Sequence, residues 1–211
     1  RHARADRYVP AGPEVFQTHP WGVAHGAAGV LHAYLRGGRT PPQGLAAFLV
    51  DGARRKQDRG TSLMYGDAGI AWVLFDAGER ELAAEVLRGR MPDDAICERA
   101  GLHDGLAGWG LARIKAWRET AEEEFLAAAA EAGELLLRKA VRGEGTLCWK
   151  SGDVQPVGLG HGAAGVALFL LHLHVATGDE RFLRAADAAL SFDLAQRGSN
   201  PDGDPTWPKQ V

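Results

Sequence analysis

The segment His161-Gly162-Ala163-Ala164-Gly165 is one of four copies of a pattern in which a polar residue precedes Gly-x-Ala-Gly. The other copies are His25-Gly26-Ala27-Ala28-Gly29, Tyr65-Gly66-Asp67-Ala68-Gly69 and Asp104-Gly105-Leu106-Ala107-Gly108. The polar residues of successive copies lie 40, 39 and 57 positions apart. A single Gly-x-x-Gly is a weak signal, but four copies in step indicate an internal repeat, and a repeat of this length defines the architecture of a chain.

Each copy of the motif is followed by the same two segments. The first is almost entirely apolar, and the second has Ala and Leu at helical spacing with charged residues between them. Every repeat is therefore predicted to form a helical hairpin with a buried inner helix and an outer helix that has one charged face. The inner helices are expected near residues 30–35, 70–75, 109–117 and 166–175, and the outer helices near 45–55, 81–87, 122–141 and 181–194.

The predicted fold class is all-α, an array of four α/α hairpins. Strand signal is confined to the alternating segment 145–150, which predicts one small β-hairpin insertion near residues 145–157. No linker divides residues 1–211, so we expect a single domain. The small residues of each motif favour close approach of neighbouring inner helices around a common axis.

Composition excludes several classes of partner. Hydrophobic residues make up 45% of the chain and charged residues 24%, which is typical of a soluble globular protein. A formal charge of −3 lacks the basic excess that binding to nucleic acid or an anionic membrane requires. No apolar stretch resembles a signal peptide or a membrane span. Two cysteines, Cys97 and Cys148, without CxxC spacing favour a reducing compartment, and we expect a cytoplasmic protein.

The polar residue that precedes each motif is the candidate site residue of its repeat. Repeat symmetry predicts that these four residues lie at one level around the axis, at the N-termini of the inner helices: His25, Tyr65, Asp104 and His161. The positive end of a helix dipole favours a neutral imidazole, which can act as a base near neutral pH, and it favours an ionised Asp104. Structural interpretations stay open, with Asp104 as a helix N-cap and the histidines and Tyr65 as hydrogen-bonded packing residues.

Other residues carry weaker signals. His172 and His174 fall on different faces of a helix, so a shared metal ion is not expected. His32 lies seven residues after His25 on the same helix face. It either extends a polar stripe or, as we expect, packs in the core. Both cysteines are expected to be buried apolar residues. The sequence has no phosphate-binding loop, serine nucleophile elbow or HExxH motif.

The repeats resemble the lanthionine synthetase C-like cyclases, in particular the cyclase domain of multidomain lanthipeptide synthetases that also contain lyase and protein-kinase domains. The resemblance runs from about Trp21 to about Leu194, and it rests on Trp21-Gly22-Val23-Ala24-His25-Gly26-Ala27-Ala28-Gly29-Val30-Leu31, Gly101-Leu102-His103-Asp104-Gly105-Leu106-Ala107-Gly108 and Gly158-Leu159-Gly160-His161-Gly162-Ala163-Ala164-Gly165. It implies an α/α toroid of six hairpins, of which this chain has four. Since the chain begins with Arg1 and ends without a terminating element, we expect a longer protein with a kinase domain upstream.

The activity that the resemblance implies is thioether formation. A cysteine thiol of a precursor peptide adds to dehydroalanine or dehydrobutyrine, and the resulting enolate is then protonated. The motif histidine of the family matches His161, which implies that this residue serves first as base and then as acid. The acid of the family lies several residues before the glycine of the third repeat. This chain has Gly101 there, and Asp104 is displaced toward the motif.

The resemblance also implies which cofactors and partners to expect. In zinc-dependent members the metal is held by a Cys and a Cys-His pair in the last two repeats, and neither motif occurs here. We therefore expect no metal or other cofactor in this chain, unless further C-terminal repeats supply zinc ligands. The expected partners are the precursor peptide and the kinase and lyase domains of the same polypeptide, not nucleic acid or a membrane.

Two other functions stay open on the sequence. One is a non-catalytic module that binds the precursor peptide or braces a neighbouring kinase domain. The other is an α/α-barrel glycosidase, which needs two carboxylates beside a cleft. Asp67 and Asp104 are the available pair.

Overall fold

The computed structural model describes Tyr8 and residues 18–55, 57–200, 202–208 and 210–211. Within these residues the chain forms nine α-helices and two antiparallel pairs of short strands. Each motif leads into an inner helix: α1 (Ala27–Arg36), α3 (Asp67–Asp76), α6 (Leu106–Thr120) and α8 (Ala163–Thr177). Each inner helix is followed by an outer helix: α2 (Leu45–Arg54), α4 (Arg80–Leu87), α7 (Glu123–Lys139) and α9 (Glu180–Ala195). A short helix, α5 (Asp94–Glu98), lies between α4 and α6.

The helices form an arc in two layers. The inner helices pack against one another in chain order, α1 on α3, α3 on α6 and α6 on α8, and each outer helix packs on the inner helix of its own repeat. The predicted all-α hairpin fold is therefore confirmed. Each inner helix begins two residues after the polar residue of its motif, because the first glycine of the motif is the N-cap.

Apolar burial divides between the two halves of the arc. One core cluster joins the first two repeats and also includes Ala116 and Phe125 of the third. Another cluster joins the last two repeats, and Trp72 packs against both clusters. Trp109, Phe169 and Phe182 are among the largest fully buried side chains, and burying one such side chain contributes about 1.5–3 kcal/mol. A Cβ at Gly110 would overlap the Phe169 ring, so α6 and α8 approach closely there. Although the inner helices α3 and α8 are strongly apolar, none of the described helices is both long and apolar enough to cross a membrane.

The second glycine of each motif has the same structural role in all four repeats. It lies in the first turn of the inner helix, against the carbonyl of the residue six positions earlier: Gly29 on Val23, Gly69 on Leu63, Gly108 on Leu102 and Gly165 on Leu159. A Cβ at any of these positions would overlap that oxygen, so only glycine lets the loop fold back over the start of its helix. The sequence predicts that these glycines serve the approach of neighbouring helices; their closest contact is instead the preceding loop of the same repeat.

The predicted β-hairpin is present but lies earlier in the chain. Strand β1 (Val141–Arg142) pairs with β2 (Leu147–Cys148), so the hairpin occupies residues 141–148 rather than 145–157. Gly145 has a φ of 68°, a left-handed conformation that places it in the turn and not at the start of a strand.

A second strand pair corrects the prediction of a single hairpin. Strand β3 (Gly198–Ser199) pairs with β4 (Pro205–Thr206) after the last helix. Strands of two residues leave no alternating pattern in the sequence, so hydrophobic periodicity does not predict them.

Candidate active site

The four loops that precede the inner helices are joined by backbone hydrogen bonds. Ala24 N–H donates to Met64 O (2.9 Å), and Met64 N–H donates to His103 O (3.0 Å). His103 N–H in turn donates to Gly160 O (2.9 Å). The loops therefore lie together at one end of the arc and form a continuous surface, termed the mouth, of residues 20–26, 60–66, 99–105 and 158–162.

The fourth loop of the mouth is anchored differently from the others. In the first three repeats, the first residue of the inner helix donates its N–H to the carbonyl seven residues earlier (Ala27 to Pro20, Asp67 to Gly60, Leu106 to Arg99). In the fourth repeat, the Asp193 carboxylate on α9 accepts from Ala164 N–H (3.0 Å) and Gly158 N–H (2.9 Å). Burial raises the pKa of the Asp193 carboxyl. Asp193 thus fixes both ends of the loop that carries His161.

Asp104 and His161, which come from neighbouring repeats, are in hydrogen-bond contact at the mouth. His161 Nδ1 lies 3.2 Å from Asp104 Oδ1, and Arg99 Nη1 donates to Asp104 Oδ2 over 2.9 Å. An ionised carboxylate can only accept, so Nδ1 carries the proton and the lone pair of Nε2 is left available as a base. The His161 side chain is 59% exposed and the Asp104 side chain 21%. The imidazole is thus accessible while its partner is more enclosed.

This pair borders a cavity of about 380 Å³. Trp149, Lys150 and Ser151, which follow the β1–β2 hairpin, line the same cavity. The His103 ring packs edge-on against the His161 ring, with centroids 4.9 Å apart. Burial lowers the pKa of His103, and the neighbouring His161 lowers it further. His103 therefore favours its neutral form beside the His161 ring.

The other two predicted site residues form a separate pair. The rings of His25 and Tyr65 lie 5.8 Å apart at an interplanar angle of 56°. The structure therefore brings the four predicted residues to the mouth as two pairs, and of these only the pair from the third and fourth repeats joins an imidazole to a carboxylate. A catalytic role for any of the four stays a prediction.

Two alternatives for the acidic residues are wrong. Asp104 does not cap α6, because the N-cap is Gly105 and no side-chain hydrogen bond caps this helix. Asp67, the second carboxylate that a glycosidase would need, is 1% exposed and forms an ion pair with Arg59 Nε at 2.7 Å. A carboxylate enclosed in this way cannot flank a cleft beside Asp104.

A second imidazole–carboxylate pair lies on the inner face of the arc, where side chains of all four inner helices line a cavity of about 500 Å³. His32 Nδ1 lies 3.1 Å from Asp76 Oδ2, and Lys115 Nζ donates to Asp76 Oδ1 over 2.8 Å. His172 lines the same cavity; burial lowers its pKa, and Arg118 adds to this effect. The expectation that His32 packs in the core is therefore wrong. The sequence signal that could have identified this site is a charged residue within or at the end of an apolar inner segment, such as Lys115 in α6 and Asp76 at the end of α3.

The two cysteines do not fit a zinc site. Cys148 is buried and Cys97 is partly buried, and both are free thiols. Burial raises the pKa of each thiol, which opposes the thiolate form that binds zinc. Over the part of the chain that the structure describes, no three His, Cys, Asp or Glu side chains are grouped so that they could hold a metal ion. The expected absence of a cofactor stays a prediction.

Most of the chain matches a known family. A family model described as lanthionine synthetase C-like protein matches residues 45–211. The chain belongs to the lanthionine synthetase C-like family. A curated relative in Streptomyces coelicolor, named probable SapB synthase, is 32% identical over 198 residues, which cover 92% of this chain and 21% of the relative. The chain thus spans about a fifth of the length of that relative.

The residues matched by the family model bear on the two pairs at the mouth. The match includes Tyr65, Asp104 and His161, whereas His25 and the whole of α1 precede it. Of the two pairs, only Asp104–His161 lies entirely within the matched residues. This pair is therefore the better candidate for a function that the family shares.

Proposed function

We propose that this chain is the cyclase part of a lanthipeptide synthetase and that it forms thioether rings in a precursor peptide. The observation that carries the proposal is the hydrogen-bonded pair of Asp104 and His161 in a cavity at the mouth. Membership of the lanthionine synthetase C-like family supports the same activity.

The first step is activation of a peptide cysteine. A free thiol has a pKa of about 8.5 and is mostly protonated at neutral pH, so a base must raise the thiolate fraction. His161 Nε2 accepts the thiol proton. Asp104, which accepts from His161 Nδ1–H, holds the ring in the required tautomer and stabilises the imidazolium that forms.

The second step is addition and protonation. The thiolate sulfur forms a bond to the β-carbon of dehydroalanine or dehydrobutyrine while the carbon–carbon π bond opens, and the electron pair moves onto the α-carbon and its carbonyl as an enolate. His161 then returns its proton from Nε2 to the α-carbon. The proton removed from sulfur ends on carbon, so the reaction needs no external oxidant, reductant or metal ion to balance.

Two neighbouring side chains assist this sequence. Arg99 Nη1 donates to Asp104 Oδ2, the oxygen that does not face His161, and holds the carboxylate in place. Lys150 lines the same cavity and provides a positive charge beside the anionic enolate. We propose that kinase and lyase domains of the same polypeptide supply the dehydrated residues, and that the protein acts in the cytoplasm, where peptide thiols stay reduced.

The test is replacement of His161 in the full-length protein. His161→Ala should accumulate peptide that is dehydrated but not cyclised, because only the addition step uses this imidazole. General-base assistance contributes about 10²–10⁴-fold, so a mass-spectrometric count of free thiols in the product resolves the loss. His25→Ala is the matched control, since His25 occupies the same motif position but precedes the residues that the family model matches, and it should cost much less.

Two outcomes would contradict the proposal. If folded His161→Ala cyclises at the parental rate, the chain is a binding or bracing module and the chemistry occurs elsewhere. If His25→Ala is the more damaging variant, the reaction takes place at the first pair of the mouth and not at the second.

A further inference from the structure

A charged groove lies on the outer surface, away from the mouth. It has a volume of about 640 Å³ and is bordered by α7, α9 and the β1–β2 hairpin. Four exposed arginines line it, and they define what is termed the arginine groove: Arg138, Arg142, Arg181 and Arg184. Its volume falls within the range of about 300–1,000 Å³ that is usual for ligand sites.

The positive charge of the groove is only partly neutralised. Arg181 forms ion pairs with Glu134 and Asp179. Among the described residues, no carboxylate lies within ion-pair distance of the other three arginines. Arg181, which hydrogen-bonds to Asp179, lowers the pKa of that carboxyl, and Arg184 is near enough to add to this effect. The two carboxylates still leave an excess of positive charge among the four guanidinium groups, which repel each other. An anionic ligand would relieve this repulsion.

The floor of the groove suits an extended peptide. Ala185 and Ala188 contribute short side chains, and the hairpin turn contributes Gly143 and Gly145. At Gly145 a Cβ would meet no atom within 4 Å, so the surface there is open. A peptide backbone can therefore lie on the floor while carboxylates on its side chains reach guanidinium groups, which bind carboxylates with two parallel hydrogen bonds.

The groove and the mouth lie on either side of the same hairpin. Residues 142–143 and 145–147 border the groove, and residues 149–151 line the cavity that contains His161. Leu147 and Trp149 are only two positions apart, which is about 7 Å of extended chain. A peptide held in the groove can thus pass the hairpin and present a neighbouring segment at the mouth.

We infer that the arginine groove binds an acidic segment of the precursor peptide outside its ring-forming residues. This inference rests on the proposed cyclase function for the identity of the peptide. The groove recognises a peptide with several Asp or Glu residues in an extended conformation. Its role is to raise the local concentration of the ring-forming segment at the mouth, without contact with the reacting atoms.

The test measures binding by the full-length protein to a fluorescein-labelled peptide of alternating glutamate and glycine. Fluorescence anisotropy should show binding that weakens as salt is added and that is absent for the matching glutamine peptide. Arg138→Glu with Arg184→Glu should weaken the binding by about tenfold or more, because two attractive contacts become repulsive. Arg39→Glu with Arg54→Glu makes the same change in net charge elsewhere on the surface and should have little effect.

Kinetics with the precursor peptide separate the groove from the chemistry. The Arg138→Glu, Arg184→Glu variant should raise KM and leave kcat unchanged. His161→Ala should bind the glutamate peptide like the parent protein. If the parent protein itself binds this peptide but never cyclises the precursor, the proposed function is refuted and the inference about the groove stands. Equal binding of the glutamine peptide, equal loss in the control variant, or a preference for single-stranded DNA over the glutamate peptide would overturn the inference.

Discussion

The mouth and the inner face of the arc each contain a histidine that is hydrogen-bonded through Nδ1 to an aspartate. In each case the second carboxylate oxygen binds a cation, Arg99 at the mouth and Lys115 on the inner face. The two pairs differ in their surroundings. The imidazole is 59% exposed in His161 and 36% exposed in His32, and the cation is 54% exposed in Arg99 and 17% exposed in Lys115. The two carboxylates are equally enclosed, at 21% for Asp104 and 20% for Asp76.

The pairs also differ in what they connect. The inner-face pair joins three inner helices, since His32 lies on α1, Asp76 on α3 and Lys115 on α6. The mouth pair joins two loops and leaves the second imidazole nitrogen available. We therefore predict that the mouth pair, whose imidazole and cation are more exposed, serves chemistry, and that the inner-face pair, which joins three helices, mainly holds them together.

The largest expected difference between the two pairs is in the cyclisation rate. Asp104→Asn should slow cyclisation by about tenfold to a hundredfold, because an amide can neither fix the reactive tautomer of His161 as firmly nor stabilise its imidazolium. Asp76→Asn should leave the rate close to the parental value. Rates of thiol loss from a pre-dehydrated peptide measure both, and a larger loss for Asp76→Asn would reverse the assignment of the pairs.

Stability should show the opposite ranking. Asp76→Ala removes the closer of the two carboxylates that pair with the partly enclosed Lys115, and it should lower the free energy of unfolding by about 1.5–3 kcal/mol. Asp104→Ala breaks contacts to the more exposed Arg99 and His161 and should cost less than about 1 kcal/mol. Urea unfolding followed by tryptophan fluorescence compares the two variants, and equal costs would show that both pairs are mainly structural.

The smallest expected effect is on the pH dependence of stability. Burial lowers the pKa of His103 at the mouth and of His172 on the inner face, so the folded chain binds fewer protons there than the unfolded chain. The free energy of unfolding should have its full value above the ordinary histidine pKa of about 6.5. It should fall as the pH drops from there toward the lowered pKa values of the two rings in the folded chain. Urea midpoints across this range should decline less steeply in His103→Gln and His172→Gln. Slopes identical to the parent in both variants would show that neither ring is protonated only on unfolding.

The sequence predicts the hairpin fold because its signals are local and repeated. Helical spacing and the four glycine motifs are visible within each repeat, and the placement of Asp104 and His161 at the same end of the array follows from their equivalent motif positions. The hydrogen bond between them is not predicted, since repeat symmetry does not specify which neighbours pair. The inner-face pair depends on contacts between residues 44 and 39 positions apart. These contacts require three helices to have particular rotations about their own axes, which periodicity does not specify. For the same reason, the sequence does not predict the arginine groove. Its arginines come from α7, α9 and a hairpin whose position is predicted only approximately.

The most direct test of the central claim is a double-mutant cycle at the mouth. Single-turnover cyclisation of a pre-dehydrated peptide would be measured for the parent, His161→Ala, Asp104→Asn and the double variant. If Asp104 acts through His161, the double variant should be no slower than His161→Ala, because the second change removes an interaction that is already lost. If the rate losses of the two single variants multiply in the double variant, the two residues act independently. That result would contradict the claim that Asp104 acts through His161.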